Sequence, residues 1–281
     1  VEGIYSMEGE VCKLKPIVQV AKLYGAHIYL DEAHSIGAVG PTGRGVCEEL
    51  GVDVADITVM MGTFTKSFGA AGGYVAGSRE VVDAVKRFSL GYTEAVSMAP
   101  AVCDQVLSSL RIISGDDGTD VGKEKLIALR ENSKFFRDGL IALGLEVLGD
   151  DPSPIMPVML YQPYKIGDFS RLAFNRGLAV VVVGSPATPV TLPRVRFCIS
   201  AAHKKKDLEN ALHVISEIAD ELCLKFKKFP ANRFFPGSIE ELEARERRES
   251  ERRIKQALEH RGKALESASR QHWVPVFVGS K

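Results

Sequence analysis

The sequence lacks the features that assign a chain to a protein class at a glance. Its five cysteines are widely spread and none lies in a CxxC pair, which argues against a disulfide framework and against a structural zinc site. We expect reduced, buried thiols in a protein that faces the cytosol. Lys plus Arg and Asp plus Glu number 36 each, so the zero net charge gives neither the basic field of nucleic-acid binding nor the acidic excess of disorder.

Long apolar runs are also absent. No stretch of about 18 apolar residues occurs, so the sequence predicts no membrane-spanning helix. The 281 residues are 45% hydrophobic and 26% charged, which is ordinary for a globular protein of one large domain or two smaller ones. Because residue 1 is Val and the first segment resembles the interior of a domain, we expect the complete protein to have a further N-terminal part.

Short apolar runs alternate with helical patterns in the first half of the chain, which indicates an α/β fold. The second half predicts a smaller α+β lobe. Predicted strands lie at about 26–31, 57–61, 72–77, 157–161, 179–183 and, half-exposed, 194–200. One predicted helix ends at Gly25, and another passes through Arg171 and Phe174. Four more are predicted at about 79–89, 99–113, 123–143 and 206–226. Three domains are predicted. Residues 1–120 form the C-terminal part of a large domain with a mostly parallel sheet, and residues 121–230 form a small C-terminal domain. Residues 231–281 form a charged helical extension.

Charged residues dominate from about 239 to 270. Acid–base pairs at i,i+4 recur there with the acid first, the favourable order on a helix. The few apolar positions, Ile254, Leu258 and Leu265, give only a thin stripe to bury. The pattern predicts a solvated or loosely docked helix, with a partner-binding coiled coil as the alternative.

Asp31 ends the first predicted strand. Ligands of open α/β sheets bind outside the carboxyl ends of the strands, so an acid there faces a crevice. The run Asp31–His34 is also the nucleotide-hydrolysis box of one helicase class, which requires a phosphate loop GxxxxGK[ST]. The glycine-rich segment Gly40–Gly45 lacks the Lys-Ser/Thr ending. The simplest alternative is an acid that caps a loop.

Lys66 lies in the loop after the second predicted strand, among small and hydroxyl residues such as Thr63, Thr65 and Ser67. A single lysine is usually a surface charge. Here the pairing with Asp31 at the end of a strand favours a site for pyridoxal 5′-phosphate (PLP). That cofactor needs an amine to form an imine, a carboxylate for its pyridine nitrogen, and hydroxyls and N–H groups for its phosphate.

Six motifs, in order and at family-like spacing, resemble the α-oxoamine synthase family of fold-type I PLP enzymes. The resemblance extends from Glu2 to about Phe226. The motifs are Glu2–Gly9, Leu30–Gly37, Gly40–Gly45, Met60–Gly69, Pro186–Pro189 and Arg196–His203.

The resemblance implies a role for five residues. Lys66 matches the Schiff-base lysine, Asp31 the acid at the pyridinium nitrogen, and His34 the histidine that hydrogen-bonds the phenolic oxygen of the ring. Thr63 matches a phosphate-binding hydroxyl, and Arg196 matches the arginine that binds the carboxylate of the amino-acid substrate. A guanidinium–carboxylate pair would orient the bond to be broken.

Each of the weaker assignments has a plain structural alternative. Arg196 is alternatively a solvated charge on an edge strand, His34 a core histidine, and Thr63 a turn hydroxyl. His203, Arg44 and Cys198 receive only a structural interpretation. No residue is assigned to a metal.

Within the family, the motifs are most similar to those of the members that condense L-serine with a long-chain acyl-CoA (palmitoyl-CoA), with loss of carbon dioxide, to 3-ketosphinganine. This likeness implies PLP, a heterodimer with a related subunit that lacks the lysine, and the cytosolic face of the endoplasmic reticulum membrane. A membrane anchor and the histidine that stacks on PLP are expected in the N-terminal part.

Three alternatives remain at this point. One is another α-oxoamine synthase that uses glycine or alanine with a short acyl thioester. The second is a helicase built on the motif that contains Asp31. The third is a non-catalytic assembly subunit, a role that usually accompanies loss of the lysine, whereas Lys66 is present.

Overall fold

The structure, a computed structural model, describes residues 1–94 and 97–226 together with Arg248 and Arg252. The two sheets that the described residues form lie in the first of two units, Val1–Lys228; the second unit is Phe229–Lys281. The predicted charged helix at 239–270 lies outside the described residues, apart from the two arginines. The strands are β1 Tyr29–Asp31, β2 Val59–Thr63, β3 Gly73–Gly77, β4 Ile155–Met159, β5 Val181–Val183 and β6 Arg194–Cys198. The α-helices are α1 Leu14–Tyr24, α2 Val46–Leu50, α3 Arg79–Phe88, α4 Leu90–Glu94, α5 Pro100–Ser114, α6 Val121–Ala142, α7 Lys165–Asn175 and α8 Lys205–Glu221, with a 3₁₀ turn at Val54–Asp56.

The first sheet has the strand order β1-β2-β3. β1 and β2 are parallel, with Asp31 opposite Met61, so their carboxyl ends lie at the same edge. β3 returns antiparallel, with Gly73 opposite Thr63. Buried apolar residues between the sheet and α1, among them Leu14 and Leu30, form its core. This edge carries the residues that the sequence assigned to the cofactor.

The second sheet is antiparallel with the order β4-β6-β5. Phe136 of α6, Phe169 of α7 and Ile215 of α8 share a buried core with Val195 and Phe197 of β6. Both predicted classes of structure, α/β followed by α+β, are present. The domain boundaries at 120 and 230 stay a prediction.

The prediction of a half-exposed strand at 194–200 holds only in its last part, where Cys198 and Ser200 are exposed. β6 is the central strand, and Arg194, Val195 and Phe197 are buried. The two arginines at i and i+2 share one face, where the segment Ser6–Glu8 accepts their hydrogen bonds. The sequence alternates as a solvated strand does because a second segment of protein, rather than water, covers the polar face.

Most predicted helices lie within a few residues of their observed bounds. Gly25 ends α1 with φ of 59°, the left-handed conformation that glycine adopts at low cost. α8 ends at Glu221, five residues before the predicted end, because Cys223 adopts φ of 52° and the Leu224 N–H turns back to the Ala219 carbonyl. The short helices α2 and α4 were not predicted.

The cysteines only partly follow the prediction of buried thiols. Cys12 and Cys47 are buried, Cys103 is half-buried, and Cys198 and Cys223 are exposed. Within the described residues, no helix combines the length and hydropathy needed to cross a membrane.

Candidate active site

The candidate site lies at the carboxyl edge of the first sheet. Asp31 is the last residue of β1, and Thr63 is the last residue of the parallel strand β2. Lys66 lies three residues after Thr63, in the loop that follows β2. Open α/β sheets bind their ligands at this edge, so the strand order alone brings an acid and an amine to the expected position.

Two buried phenylalanines fix the loop that carries Lys66. Phe64 and Phe68 pack edge to face with ring centroids 5.4 Å apart, and both are buried. The Phe68 carbonyl accepts hydrogen bonds from Ser109 Oγ (2.9 Å) and Gln105 Nε2 (3.3 Å) of α5. Because both flanks are anchored, Lys66 extends from a loop of defined position.

Asp31 is fixed through its backbone and its side chain. Its N–H donates to the Val1 carbonyl (2.9 Å), and its carbonyl accepts from Gly3 N–H (2.7 Å). Oδ1 accepts from the Ala33 N–H at 2.8 Å. These bonds hold the carboxylate at the end of β1, where it acts electrostatically on both His34 and Lys66.

His34 lies in the turn after β1. Its burial, followed by the positive charges of Lys66 and Arg196, lowers its pKa to about 4, against the opposing effect of Asp31. The ring is therefore neutral at pH 7. A neutral imidazole has one N–H donor and one acceptor nitrogen, so His34 is able to donate a hydrogen bond without adding charge.

The pKa of Lys66 is also lowered. Burial contributes most, and the charge of Arg196 adds to it, while Asp31 and Glu2 oppose the shift. A lowered pKa increases the fraction of neutral amine, which is the nucleophilic and basic form.

A cavity of about 560 Å³ brings three of the five predicted residues together. His34, Lys66 and Arg196 all line it. Gly37 adopts φ of 71°, and a Cβ there would lie 2.7 Å from Ser67 Cβ, so the loops of His34 and Lys66 approach too closely for any side chain. The cavity therefore depends on a tight contact between the two loops.

The other two predicted residues are outside the cavity wall. Asp31 acts on its members through charge, as above. The Thr63 hydroxyl is engaged within its own turn, at 2.8 Å from Thr65 Oγ1 and 3.1 Å from the Gly72 carbonyl. The structure thus places Thr63 at the strand end, with its hydroxyl hydrogen-bonded within its own turn.

Arg196 reaches the cavity from β6 of the second sheet. Its Nε donates to the Ser6 carbonyl at 2.6 Å, which fixes the plane of the guanidinium. Because β6 is central, the alternative of a solvated charge on an edge strand is wrong. The cavity therefore combines side chains from both sheets.

Sequence reasoning missed part of the wall. The helices α5 and α6 contribute Ile112, Ile113, Leu126 and Lys125. The apolar spacing predicted both helices, but it does not say which helix packs beside a loop that is distant in sequence. Within the described residues, no cluster of three or more His, Cys, Asp or Glu side chains has the arrangement of a metal site.

The model of the family "Aminotransferase class I and II" matches residues 1–215. The chain belongs to this family. It is 54% identical over 242 residues to rice (Oryza sativa subsp. japonica) "Long chain base biosynthesis protein 2d", covering 86% of this chain and 49% of that protein. It is 50% identical over 228 residues to Dictyostelium discoideum "Serine palmitoyltransferase 2", covering 81% of this chain and 46% of that protein.

Among solved structures, one described as "SPT with PLP internal aldimine" superimposes with a TM-score of 0.73 at 32% identity, covering 79% of this chain and 55% of that one. The fold prediction, a fold-type I PLP-dependent transferase, is confirmed. The chain spans about half the length of the curated relatives it matches. These comparisons give no support to the helicase interpretation of Asp31–His34.

Proposed function

We propose that this chain provides the lysine-bearing part of a PLP-dependent acyltransferase that condenses L-serine with a long-chain acyl-CoA, with loss of carbon dioxide. The single observation that carries the proposal is the cavity shared by Lys66, His34 and Arg196. The printed names of the relatives, "long chain base biosynthesis" and "serine palmitoyltransferase", supply the choice of substrates.

The donor set fits PLP. Lys66 offers an amine to the aldehyde of the cofactor, and Asp31, at the end of the parallel strand, offers a carboxylate to the pyridine nitrogen. Neutral His34 offers a hydrogen bond to the phenolic oxygen. Thr63 and Thr65 offer hydroxyls to the phosphate, although their mutual hydrogen bond would have to open. When bound, PLP serves as an electron sink for negative charge at the reacting carbon.

The residues of this chain then bind the amino acid and move its proton. Arg196 would pair with the substrate carboxylate through two parallel N–H···O bonds and hold it at one end of the cavity. Lys66, whose pKa is lowered, would accept the proton from the α-carbon and return it after carbon–carbon bond formation. Ile112, Ile113 and Leu126 line one side of the cavity and would limit the access of water to the reacting atoms.

The test compares two lysines of the same cavity. Lys66→Ala should abolish the visible absorbance band that appears on addition of PLP, because the covalent link requires this amine. Lys125→Ala, which alters the other cavity lysine, should retain the band. A Lys66→Ala protein that keeps both the band and turnover would contradict the proposal.

The choice of amino acid separates this function from the related alternative, an enzyme that uses glycine or alanine. The loop Pro186–Pro189 and the sequence of Gly62–Ser67 favour an enzyme that uses serine. A product assay with serine, glycine and alanine, each offered with short and long acyl-CoA, decides between them. A faster reaction with glycine or alanine would assign the chain to the other branch.

Association with a related subunit at the endoplasmic reticulum membrane is part of the proposal. Large apolar side chains around α3 and α4 support an interface, since Phe88, Leu90 and Tyr92 are 83%, 71% and 60% exposed. Co-expression with a related subunit that lacks the lysine, followed by sizing chromatography and membrane fractionation, tests it. A protein that stays monomeric and sediments away from microsomes under these conditions would count against this assignment.

A further inference from the structure

Glu32, next to Asp31, is the only Asp or Glu that is buried among the described residues, and it has 0% exposure. The sequence assigned it no role. Buried acids are rare unless a cation or a set of hydrogen bonds compensates for the lost hydration. The surroundings of Glu32 therefore call for a physical explanation.

The backbone of Glu32 anchors the turn that carries His34. Its N–H donates to the Met61 carbonyl of β2 at 2.8 Å. Its carbonyl accepts from Ser35 N–H (3.0 Å) and Ile36 N–H (2.9 Å). Glu32 thus ties the end of β1, the following turn and β2 into one unit.

The side chain of Glu32 connects this turn to the start of α2. Oε2 accepts from the Val46 N–H at 3.1 Å and is in short contact with Ser35 Oγ. A Cβ on Gly3 would lie 3.1 Å from Oε2, and a Cβ on Gly45 would collide with the carboxyl group. Two glycines therefore leave the space that this side chain fills.

No cation compensates the carboxyl group within the described part of the chain. The titratable side chains that interact with it are Asp31 of β1, Cys12 before α1, Cys47 of α2 and Tyr74 of β3, all of them acids or neutral. Oε1 has no hydrogen-bond partner. A buried carboxylate in such a place costs several kcal/mol, whereas the neutral acid costs far less.

We infer that Glu32 is a positioning residue held as a neutral carboxylic acid, which fixes the turn bearing Asp31 and His34 without placing a second negative charge beside Asp31. Burial raises the pKa of Glu32 against the hydrogen bonds from Ser35 and from the backbone of Val46 and Cys47, and the charge of Asp31 adds to the rise, which agrees with this state. Asp31 then remains the only charge offered to a pyridine nitrogen. That consequence rests on the proposed function, whereas the protonation state does not.

The protonation state is tested by infrared difference spectra of the full 281-residue chain at pH 7. Wild type minus Glu32→Gln should contain the C=O stretch of a carboxylic acid. The matched control is Glu49→Gln, which removes an acid paired with Arg130 at 3.2 Å and should give the stretches of a carboxylate. A carboxylate signal for Glu32 would overturn the inference whether or not the chain binds PLP.

The positioning role is tested by two substitutions of opposite character. Glu32→Gln keeps the length and the neutral group, so NMR titration should leave the pKa of His34 near its wild-type value and PLP affinity should change less than about twofold. Glu32→Asp keeps the acid but is too short to reach Val46, so the pKa of His34 should rise. PLP affinity should fall about tenfold, the change in affinity expected from the loss of one hydrogen bond.

Two results would overturn the positioning role. If the Asp variant behaves like wild type, the reach of the side chain has no consequence; if the Gln variant is as impaired as the Asp variant, the ionised form was required. Should Glu32→Asp fail to fold, Ser35→Ala removes one contact of the same carboxyl and should shift the His34 titration in the same direction; an unchanged titration would again contradict the role. Wild type that binds no PLP would refute the proposed function alone.

Discussion

The two sheets of Val1–Lys228 differ in how they use burial. In the second sheet every residue of β4 is buried, and helices α6, α7 and α8 pack into one continuous core. In the first sheet four of the five residues of β3 are exposed, and the loops after β1 and β2 carry His34 and Lys66, whose roles in the reaction are proposed above. The comparison assigns stability mainly to the second sheet and chemistry mainly to the edge of the first, with Arg196 as the link.

The largest expected effect is on stability in the second sheet. Phe136 is 1% exposed at the centre of that core, and Phe136→Ala should lower the free energy of unfolding by about 3–5 kcal/mol. Phe174→Ala, at a position 77% exposed, is the matched control and should change it by less than about 0.5 kcal/mol. Denaturant unfolding measures both. Equal effects would contradict the assignment of stability to the buried core of the second sheet.

The next effect concerns the link between the sheets. Arg196→Ala should weaken serine binding, measured as the serine-dependent change in PLP absorbance, by roughly 10- to 100-fold, the value of a charge-assisted hydrogen bond. Arg171→Ala removes an exposed arginine paired with Asp168 at 2.6 Å and should leave serine binding unchanged. If the Arg196 variant binds serine as wild type does, the carboxylate site lies elsewhere.

A smaller effect is expected where the two loops of the first sheet touch. Gly37→Ala introduces left-handed strain and a contact at 2.7 Å with Ser67 Cβ, and should cost about 2 kcal/mol of unfolding free energy. Gly118→Ala has the same strain, with φ of 78°, but its Cβ meets nothing within 4 Å, so it should cost about 1 kcal/mol. Identical costs would show that the loop contact is looser than the structure indicates.

The smallest expected effect is the pH dependence from His34. Its pKa falls from 6.5 to about 4 on folding, so below pH 6.5 the unfolded chain binds the proton more readily than the folded chain. The stability that neutral His34 contributes is present above pH 6.5 and decreases as the pH falls toward 4. Between pH 7 and pH 5 the loss should be about 1 kcal/mol after allowance for solvent screening.

His34→Gln should remove this part of the pH dependence, because glutamine does not titrate. His213→Gln, on the exposed face of α8, should retain it. Urea unfolding at a series of pH values measures both. A His34→Gln protein with an unchanged slope would assign the pH dependence to another group.

Sequence periodicity and strand-end chemistry were sufficient for much of this description. Asp31 and Lys66 were placed correctly at the carboxyl edge because two parallel strands end there, a geometry that apolar runs and loop residues predict. Thr63 was assigned by resemblance, yet its hydroxyl bonds within its own turn, a local competition that spacing does not reveal. The roles of all five site residues stay predictions.

Other features escaped the sequence analysis because they depend on contact between segments distant in sequence. Arg194 and Arg196 are polar residues on a buried strand because Ser6–Glu8 accepts their hydrogen bonds. Glu32 is buried because Gly3 and Gly45 leave it room. Neither set of partners is visible from the local pattern, which predicts a half-exposed strand at 194–200 and assigns Glu32 no role.

The central claim is that Lys66 is the residue that holds PLP. Borohydride reduction of the PLP-treated chain, followed by peptide mass spectrometry, tests it most directly because the label marks the reacting amine. The predicted result is one modified peptide, containing Lys66, with Lys125 in the same cavity unmodified. A label on Lys125 instead of Lys66, or none at all under saturating PLP, would contradict the account.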